Sequence, residues 1–353
     1  DKIIGFDMGG TSTDVSHYNG EFERAFETEV AGVRMRAPMM FIHTVAAGGG
    51  SILHFDGARY RVGPDSAAAN PGPACYRRNG PLTVTDCNVM LGKLSPEFFP
   101  AVFGPGADQS LDVDIVRQKF AALAAEINAA TGDSRTPEQV AEGFLFIAIE
   151  NMANAIKKIS VQRGYDVTEY TLCCFGGAGG QHAGLVADAL GMNRVFLHPH
   201  AGVLSAYGMG LADISAIRER AVEEPLEGDV MSRLQTTVDE LSVIVQAELE
   251  TQVEPGDPIR LAAKTHLRYD GTDNALVVDY GAMDDIIAAF EKAHRARYGF
   301  VTPGKTLILH ALSVESLRRA AATEDPVTEC QARQLRRPSA LSPVTVPTPP
   351  PSR

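Results

Sequence analysis

The first thirty residues alternate short apolar runs with turn residues, a pattern typical of β-structure. Residues 2–7 are apolar and stop before a glycine pair, which predicts a short buried strand and a tight loop. Residues 13–18 alternate between apolar and polar positions, which predicts a second strand. The Asn19-Gly20 pair then predicts a hairpin turn, with residues 21–30 as the returning strand.

The next segment combines a hairpin with a long loop. Residues 51–63 predict two strands around an Asp-Gly turn. Residues 64–81 contain too much proline and glycine for regular structure, so we expect an ordered loop. Residues 82–85 then predict a short strand, and Asp86 is placed to cap a helix after it.

The middle of the chain is helical. Residues 112–130 have helical apolar spacing. A longer helix is predicted to begin at Pro137, with Thr136 as its N-cap and Gly164 at its end. Residues 170–175 predict a buried strand that leads into a glycine loop and another helix.

The pattern changes character near residue 225, which predicts two lobes and a tail. The later elements are a strand at 194–200, a helix starting near 203, an amphipathic helix at 229–252, two strands within 263–280, a helix at 283–299 and a strand at 306–317. We therefore predict an α/β lobe over 1–225 and an α+β subdomain over 226–322. The proline-rich segment 323–353 is predicted to be a linker or disordered tail.

Composition and charge narrow the class of protein. The net charge of −12 argues against a nucleic-acid partner, and no apolar run is long enough to span a membrane. The five cysteines form no C-x-x-C pair, so we expect a reducing cytoplasm, with Cys173 and Cys174 packed in a strand. The chain begins at Asp1 and opens directly into a strand, so we expect a piece of a longer protein.

The loop between the first two predicted strands is the first candidate site. Gly9 and Gly10 let the backbone fold tightly and present N–H groups to an anion. Thr11 and Thr13 add hydroxyl donors, and Asp7 at a strand end can hold Mg²⁺ on a bound phosphate. A glycine turn with an aspartate cap explains the same residues, so a phosphate site and a structural turn both remain open.

A second glycine stretch opens the helix after the strand at 170–175. Gly176, Gly177, Gly179 and Gly180 lie where α/β sheets bind ligands and where a helix N-terminus favours negative charge. The spacing is not that of a dinucleotide fingerprint. Close helix–strand packing is the alternative, but two such loops in one lobe favour nucleotide binding.

A third glycine stretch follows His43. Gly48, Gly49 and Gly50 permit close backbone approach to a ligand, or else form a bulge. We treat His43 and these glycines as candidate substrate contacts. The histidines form no metal-ligand pattern, and most of them, including His198 and His200, are expected to be structural; His43 and His182 stand out because glycine loops adjoin them.

Several long segments together carry a family resemblance. They are GFDMGGTSTDVS, HTVAAGGGS, VGPDSAAANPGPACY, LTVTDCNVMLGKL, FGGAGGQHA and HLRYDGTD. In this order they resemble the hydantoinase A/5-oxoprolinase family from residue 1 to about residue 316. The segment FGPGADQSLD looks most like the ATP-dependent 5-oxoprolinase branch of that family.

The resemblance implies a fold, a reaction and roles for the candidate residues. The fold would be an actin/sugar-kinase/heat-shock-chaperone-like (ribonuclease H-like) lobe, one of two that close over ATP and Mg²⁺. The reaction would be cyclic-amide hydrolysis at the expense of ATP through phosphorylation of the amide oxygen, giving glutamate from oxoproline. The implied residues are catalytic Asp7 and Asp14, with Asp7 on the metal; phosphate-binding Gly9, Gly10, Thr11 and Thr13; and, on the adenosine side, Gly176, Gly177, Gly179, Gly180 and Gln181.

One departure from the family pattern affects the expected partners. Family members carry two D-x-G-G-T-x-T-D loops, and this sequence has one, in the order of the second lobe. We therefore expect a missing N-terminal lobe and a missing hydantoinase B-like half, with an isolated chain that does not turn over substrate. An apolar face left by a missing partner could also drive self-association. The alternatives are an N-methylhydantoin or lactam hydrolase, an acetone-carboxylase-type subunit, or a non-catalytic assembly lobe.

Overall fold

The computed structural model describes residues 1–30, 33–253 and 258–319, and the predicted tail at 323–353 lies outside the described residues. The described chain forms two compact units, each with its own sheet and its own apolar core. They are unit 1, residues 1–161 and 166–205, and unit 2, residues 162–165 and 206–319.

Unit 1 combines strands and helices in one α/β assembly. Its strands are β1 (Lys2–Met8), β2 (Thr13–Asn19), β3 (Arg24–Val30), β4 (Val33–Met40), β5 (Ile42–Val45), β6 (Ser51–Phe55), β7 (Tyr60–Ser66), β8 (Thr171–Phe175) and β9 (Val195–Leu197). Its helices are α1 (Val84–Met90), α2 (Val113–Thr131), α3 (Pro137–Ile159) and α4 (Ala183–Leu190), and α5 (Leu204–Leu211) begins at its end. The predicted mixed α/β class is confirmed.

Five of these strands form the main sheet of unit 1, in the order β5-β2-β1-β8-β9. Strand β1 is antiparallel to β2 and parallel to β8, so Asp7 lies opposite Asp14 on one side and Phe175 on the other. Helix α3 packs against β2 and β5, and Phe6 and Val15 are fully buried in the core. This arrangement brings the loop after β1 next to the loop after β8.

The Asn19-Gly20 turn exists, but the predicted hairpin does not continue. In the described part of the chain, one β-bridge, Tyr18 to Phe22, joins the two sides of the turn. The returning strand, β3, pairs instead with β4. The reason is that β2 already has β1 on one side and β5 on the other, so neither of its edges is open.

The predicted strand at residues 82–85 is wrong, because these residues begin helix α1. Thr83 is the N-cap and Asp86 is the third helical residue, so the two form a capping box. The Asp86 carboxylate also accepts hydrogen bonds from the backbone amides of Ala74 and Cys75, at 3.0 and 2.9 Å. A buried carboxylate thus holds the proline-rich loop against α1.

The two long helices match their predicted starts. Asp112 caps α2, and Thr136 caps α3 with Pro137 at the first helical position. Helix α3 ends at Ile159 rather than at Gly164. The Ser160 hydroxyl donates to the Ile156 carbonyl at 2.6 Å, and residues 161–163 form a separate 3₁₀ turn.

Unit 2 is an antiparallel sheet covered by two helices. Its elements are β10 (Ile214–Pro225), α6 (Val230–Glu250), β11 (Ile259–Tyr269), β12 (Leu276–Asp279), α7 (Met283–Tyr298) and β13 (Leu307–Arg318). The strand order is β10-β13-β11-β12. Gly299 ends α7 in the left-handed conformation, as its position after the helical pattern predicts.

Strand β10 has no counterpart among the predicted elements. Its residues alternate between charged and small side chains rather than between apolar and polar ones, so the period-2 signal is weak. Because β10 pairs with β13, it belongs to unit 2. None of the helices in the described ranges is long and apolar enough to cross a bilayer.

Candidate functional site

The loop joining β1 to β2 leaves open space at its glycines. A Cβ atom at Gly9 or Gly10 would meet no atom within 4 Å, and neither residue has a left-handed backbone. Neither packing nor conformation therefore requires glycine here. The amides of Gly10 and Thr11 donate to no described residue. Free N–H groups beside open space are what an anion site needs.

The loop at residues 48–50 packs against the first loop and donates hydrogen bonds to it. The amides of Gly49 and Gly50 donate to the carbonyls of Gly9 and Gly10, at 3.1 and 2.6 Å. A Cβ at Gly48 would lie 2.6 Å from the carbonyl carbon of Thr11. All three of these glycines are buried, so the structure places them behind the first loop, where they fix its shape.

The 176–180 loop meets the end of β1. Gly176 has φ +84°, and its missing Cβ would overlap Asp7 Oδ1 and the Met8 carbonyl oxygen. The Ala178 amide donates to that same carbonyl at 3.0 Å. At Gly177 a Cβ would again meet nothing, and its amide has no acceptor among the described residues. The structure thus brings Asp7 and the two glycine loops together.

Close packing explains why some positions of the second glycine stretch are glycine. A Cβ at Gly179 would lie 2.8 Å from Cys174 Sγ, whereas one at Gly180 would touch only Leu197 at 4.0 Å. Close helix–strand packing therefore accounts for Gly176 and Gly179. It does not account for Gly177 and Gly180, which are exposed. Burial raises the pKa of Cys174 to about 12, which fits its predicted packing role.

The two predicted catalytic acids face each other across β1 and β2. Asp7 and Asp14 are register partners, so they share one face of the sheet. Asp7 Oδ2 accepts a hydrogen bond from the Ser205 hydroxyl at 3.1 Å, and Asp14 Oδ1 accepts one from the Thr44 hydroxyl. Neither acid has a basic partner among the described side chains. Two like charges directly opposite each other repel, so this face favours a cation.

Thr11 and Thr13 differ in what their hydroxyls can do. Thr13 is fully buried and its hydroxyl donates to the Ala47 carbonyl. That hydroxyl is committed within the protein. Thr11 is exposed and its hydroxyl has no partner among the described residues, so Thr11 is the better placed donor for a ligand.

His43 lies on the other face of the sheet. It is the register partner of Val15, one position away from the Asp14–Thr44 pair, so its side chain points to the α3 side. There it lines an open groove of about 550 Å³ with Asn151 and Lys158. Burial and the nearby Lys158 lower its pKa. The structure does not bring His43 to the two acids.

Gln181 is held by two residues that the sequence reasoning missed. Asn88 Nδ2 donates to Gln181 Oε1 at 2.8 Å, and Lys93 Nζ donates to the Gln181 carbonyl at 2.6 Å. Both residues lie in the LTVTDCNVMLGKL segment that carries the family resemblance. Their spacing has no chemical signature of its own, so only the resemblance could have singled them out.

His182 is a buried neutral histidine next to these residues. Its Nε2 lies 3.2 Å from Asn88 Nδ2, and within the described part of the chain its Nδ1 has no hydrogen-bond partner. Burial, with a smaller effect from Lys93, lowers its pKa to about 3. The imidazole therefore stays uncharged at neutral pH.

We expect His182 to make folding stability fall as the pH drops below 6.5. An unfolded histidine takes up a proton near 6.5, whereas the folded one does so only near 3. Each pH unit in that window lowers the free energy of unfolding by up to about 1.4 kcal/mol. Between pH 6.5 and pH 5, urea unfolding of the chain should show a loss about 2 kcal/mol larger than in His182→Gln. Equal losses would contradict the assignment.

The family is shown by comparison with known proteins. The hydantoinase/oxoprolinase family profile matches residues 1–218. A 5-oxoprolinase of Saccharomyces cerevisiae is 41% identical over 337 residues, which cover 94% of this chain and 26% of that protein. The crystal structure of an ATP-dependent caprolactamase from Pseudomonas jessenii matches with a TM-score of 0.81 at 27% identity.

The matches cover most of this chain but only part of each relative. The match spans 91% of this chain and 47% of the caprolactamase chain, so this chain spans half or less of the proteins it resembles. A nucleotide-free acetone carboxylase structure matches with a TM-score of 0.61 at 23% identity, over 90% of this chain and 46% of that one, and shows a shared fold. The chain therefore belongs to the hydantoinase/oxoprolinase family and resembles its 5-oxoprolinase branch.

Proposed function

We propose that this chain is the second nucleotide-binding lobe, with its α+β subdomain, of an ATP-dependent 5-oxoprolinase. The complete enzyme would hydrolyse 5-oxo-L-proline to L-glutamate while ATP becomes ADP and phosphate. One observation carries the proposal. Glycines that neither packing nor conformation explains lie beside an acid pair, and within the described ranges the amides of these glycines have no acceptor and the acids have no basic partner.

The two loops fit a polyphosphate. The amides of Gly10, Thr11 and Gly177 are free to donate, and the Thr11 hydroxyl adds a further donor. Such fixed backbone donors stabilise the charge on transferring phosphoryl oxygens without reorganising. Catalysis of phosphoryl transfer is mostly positioning and charge neutralisation, which these groups can supply.

The acid pair fits Mg²⁺ that arrives with the nucleotide. Among the described residues no cluster of three or more His, Cys, Asp or Glu side chains could hold a metal. Mg²⁺ bound to a nucleotide needs only one or two carboxylates, because phosphate oxygens and water complete its shell. Asp7 would hold the ion with Asp14 beside it, and the hydroxyls of Ser205 and Thr44 would keep both carboxylates oriented.

The chemistry requires a substrate that ATP can activate. A lactam carbon is a poor electrophile, and transfer of the γ-phosphoryl group to the lactam oxygen makes it one that water can attack. The attack gives a tetrahedral carbon from which the ring nitrogen leaves as the amine, taking up a proton, so that an acyl phosphate forms. A second water then hydrolyses the acyl phosphate to the carboxylate and inorganic phosphate. In this account the chain holds and orients the nucleotide.

The architecture supports an actin/sugar-kinase/heat-shock-chaperone-like lobe. The sheet order β5-β2-β1-β8-β9, with β2 antiparallel to β1 and β8 parallel to it, supports the ribonuclease H-like arrangement that the family resemblance implies. Proteins of this superfamily use two such lobes. The 26% coverage of the yeast 5-oxoprolinase supports a further lobe and a hydantoinase B-like half as partners.

A lactam hydrolase of different specificity is the second candidate, and the caprolactamase likeness favours it. An acetone-carboxylase-type subunit and a non-catalytic assembly lobe are the remaining alternatives. ATP hydrolysis by the complete enzyme, measured with 5-oxoproline, caprolactam, N-methylhydantoin and acetone with bicarbonate, separates them. We expect the largest stimulation with 5-oxoproline. A larger response to another compound would reassign the substrate, and no ATP turnover with any would contradict the enzymatic proposal.

Gly10→Ala should weaken ATP binding without weakening the fold. The added methyl meets no protein atom, so the free energy of unfolding should change by less than about 0.5 kcal/mol. The same methyl would occupy phosphate space, so KM for ATP should rise about tenfold or more. Gly184→Ala on α4, whose Cβ also meets nothing, is the matched control and should leave KM unchanged. An unchanged KM in Gly10→Ala would remove this loop from the nucleotide site.

A further inference from the structure

Helix α1 contacts the supports of both glycine loops. At its start, Thr85 donates to the Gly49 carbonyl through its amide and its hydroxyl, both at 2.8 Å. The Gly49 amide in turn donates to the carbonyl of Gly9. The beginning of α1 is therefore two hydrogen bonds away from the 9–12 loop. A Cβ at Gly49 would come within 2.8 Å of Thr85 Oγ1, so the contact is close.

The other end of α1 reaches the 176–181 loop. Asn88 donates to the Gln181 side chain, and Lys93, just after the helix, donates to the Gln181 backbone carbonyl. The backbone and the side chain of Gln181 are thus both held by hydrogen bonds. The buried Asp86 carboxylate closes the capping box at the start of α1, which ties the helix to its own entry loop.

Lys93 has an unusual environment for a lysine. Its side chain is half-buried, and no carboxylate lies within ion-pairing distance among the described residues. Burial lowers its pKa. Burying an ammonium group that contacts only a neutral carbonyl costs free energy. Solubility alone therefore does not explain the position of Lys93, whereas its hydrogen bond to Gln181 does.

We propose that α1 and Lys93 form a strut that sets the spacing between the 9–12 loop and the 176–181 loop, with Lys93 as the main positioning residue. The inference rests on the proposed function, because the spacing matters only if both loops hold one nucleotide. Nothing in the strut touches the proposed phosphate-binding atoms. Its members act through Gly49 and Gln181.

The first test measures kinetics in the complete enzyme. Lys93→Met keeps the aliphatic stem and removes the ammonium, and we expect KM for ATP to rise about tenfold while kcat changes less than about threefold. Lys93→Arg keeps a donor and should restore most of the affinity. Lys119→Met is the matched control, because Lys119 makes the same kind of contact with the Gly80 carbonyl, outside both glycine loops. An unchanged KM in Lys93→Met, or an equal rise in Lys119→Met, would overturn the proposal.

The second test uses hydrogen exchange in this chain without nucleotide, so it does not depend on the proposed enzyme. Lys93→Met should speed exchange of the hydrogen-bonded amides within residues 176–182 at least about fivefold, and Thr85→Val should do so at Gly9 and at residues 48–50. Lys119→Met should change neither segment. Unchanged exchange in both variants would overturn the strut. If exchange responds as expected but ATP has no measurable KM in the wild-type enzyme, the proposed function has failed and the strut has not.

Discussion

Asp7→Asn should reduce ATP-dependent lactam hydrolysis at least about a hundredfold while leaving the fold as stable as before or more stable. Asparagine keeps the shape of the side chain and still accepts a hydrogen bond from Ser205. It removes the negative charge that would hold Mg²⁺ beside the phosphates. It also relieves the repulsion with Asp14, its register partner on β2. Steady-state kinetics and urea unfolding of the same preparation measure both effects.

The expected loss of activity without a loss of stability distinguishes this role of Asp7 from two other roles. A purely structural aspartate would lose stability together with activity, and an assembly lobe would keep its activity. Asp188→Asn is a suitable control, because Asp188 is an exposed acid on α4 whose loss should change neither quantity. Retained activity in Asp7→Asn would remove Asp7 from the catalytic site.

Gly176→Ala should destabilise the chain by about 3 kcal/mol or more. Gly176 has φ +84°, which L-residues rarely adopt, and a Cβ there would overlap both Asp7 Oδ1 and the Met8 carbonyl oxygen. In the variant, the backbone around residue 176 and the end of β1 must therefore shift to make room for the methyl group. The free energy of unfolding from urea titration measures the loss.

Gly177→Ala is the control for this second prediction. It is the next residue along the chain, with open space at its Cβ and no left-handed backbone angle. Its stability should change by less than about 0.5 kcal/mol, while ATP affinity should fall because the methyl faces the proposed ligand. Similar stability losses in the two variants would show that the close contact at Gly176 does not decide the effect.

Local pattern was enough to predict most strands and helices of this chain. The strand predicted at 170–175 and the helix predicted at 283–299 are observed at Thr171–Phe175 and Met283–Tyr298. The predictions were wrong where strand pairing between distant segments, rather than local pattern, decides which element forms. The strand after Asn19-Gly20 pairs with β4 because both edges of β2 are taken, and β10 shows almost no apolar alternation.

The candidate site was predicted in its parts rather than in its arrangement. The glycine loops and the acids could be selected from residue type and spacing. Which glycines are open, as at Gly10, and which are close contacts, as at Gly48, depends on neighbours far away in sequence. The same holds for Thr13, whose hydroxyl is used inside the protein, and for Lys93, whose role is set by Gln181.

We expect the loops at residues 9–12 and 176–180 to hold one Mg²⁺-bound ATP. This can be checked by amide hydrogen exchange of the complete enzyme with and without Mg·ATP. Exchange should become slower at Gly10, Thr11 and Gly177, whose amides have no acceptor among the described residues. ATP that is bound and hydrolysed while exchange in both loops stays unchanged would contradict it.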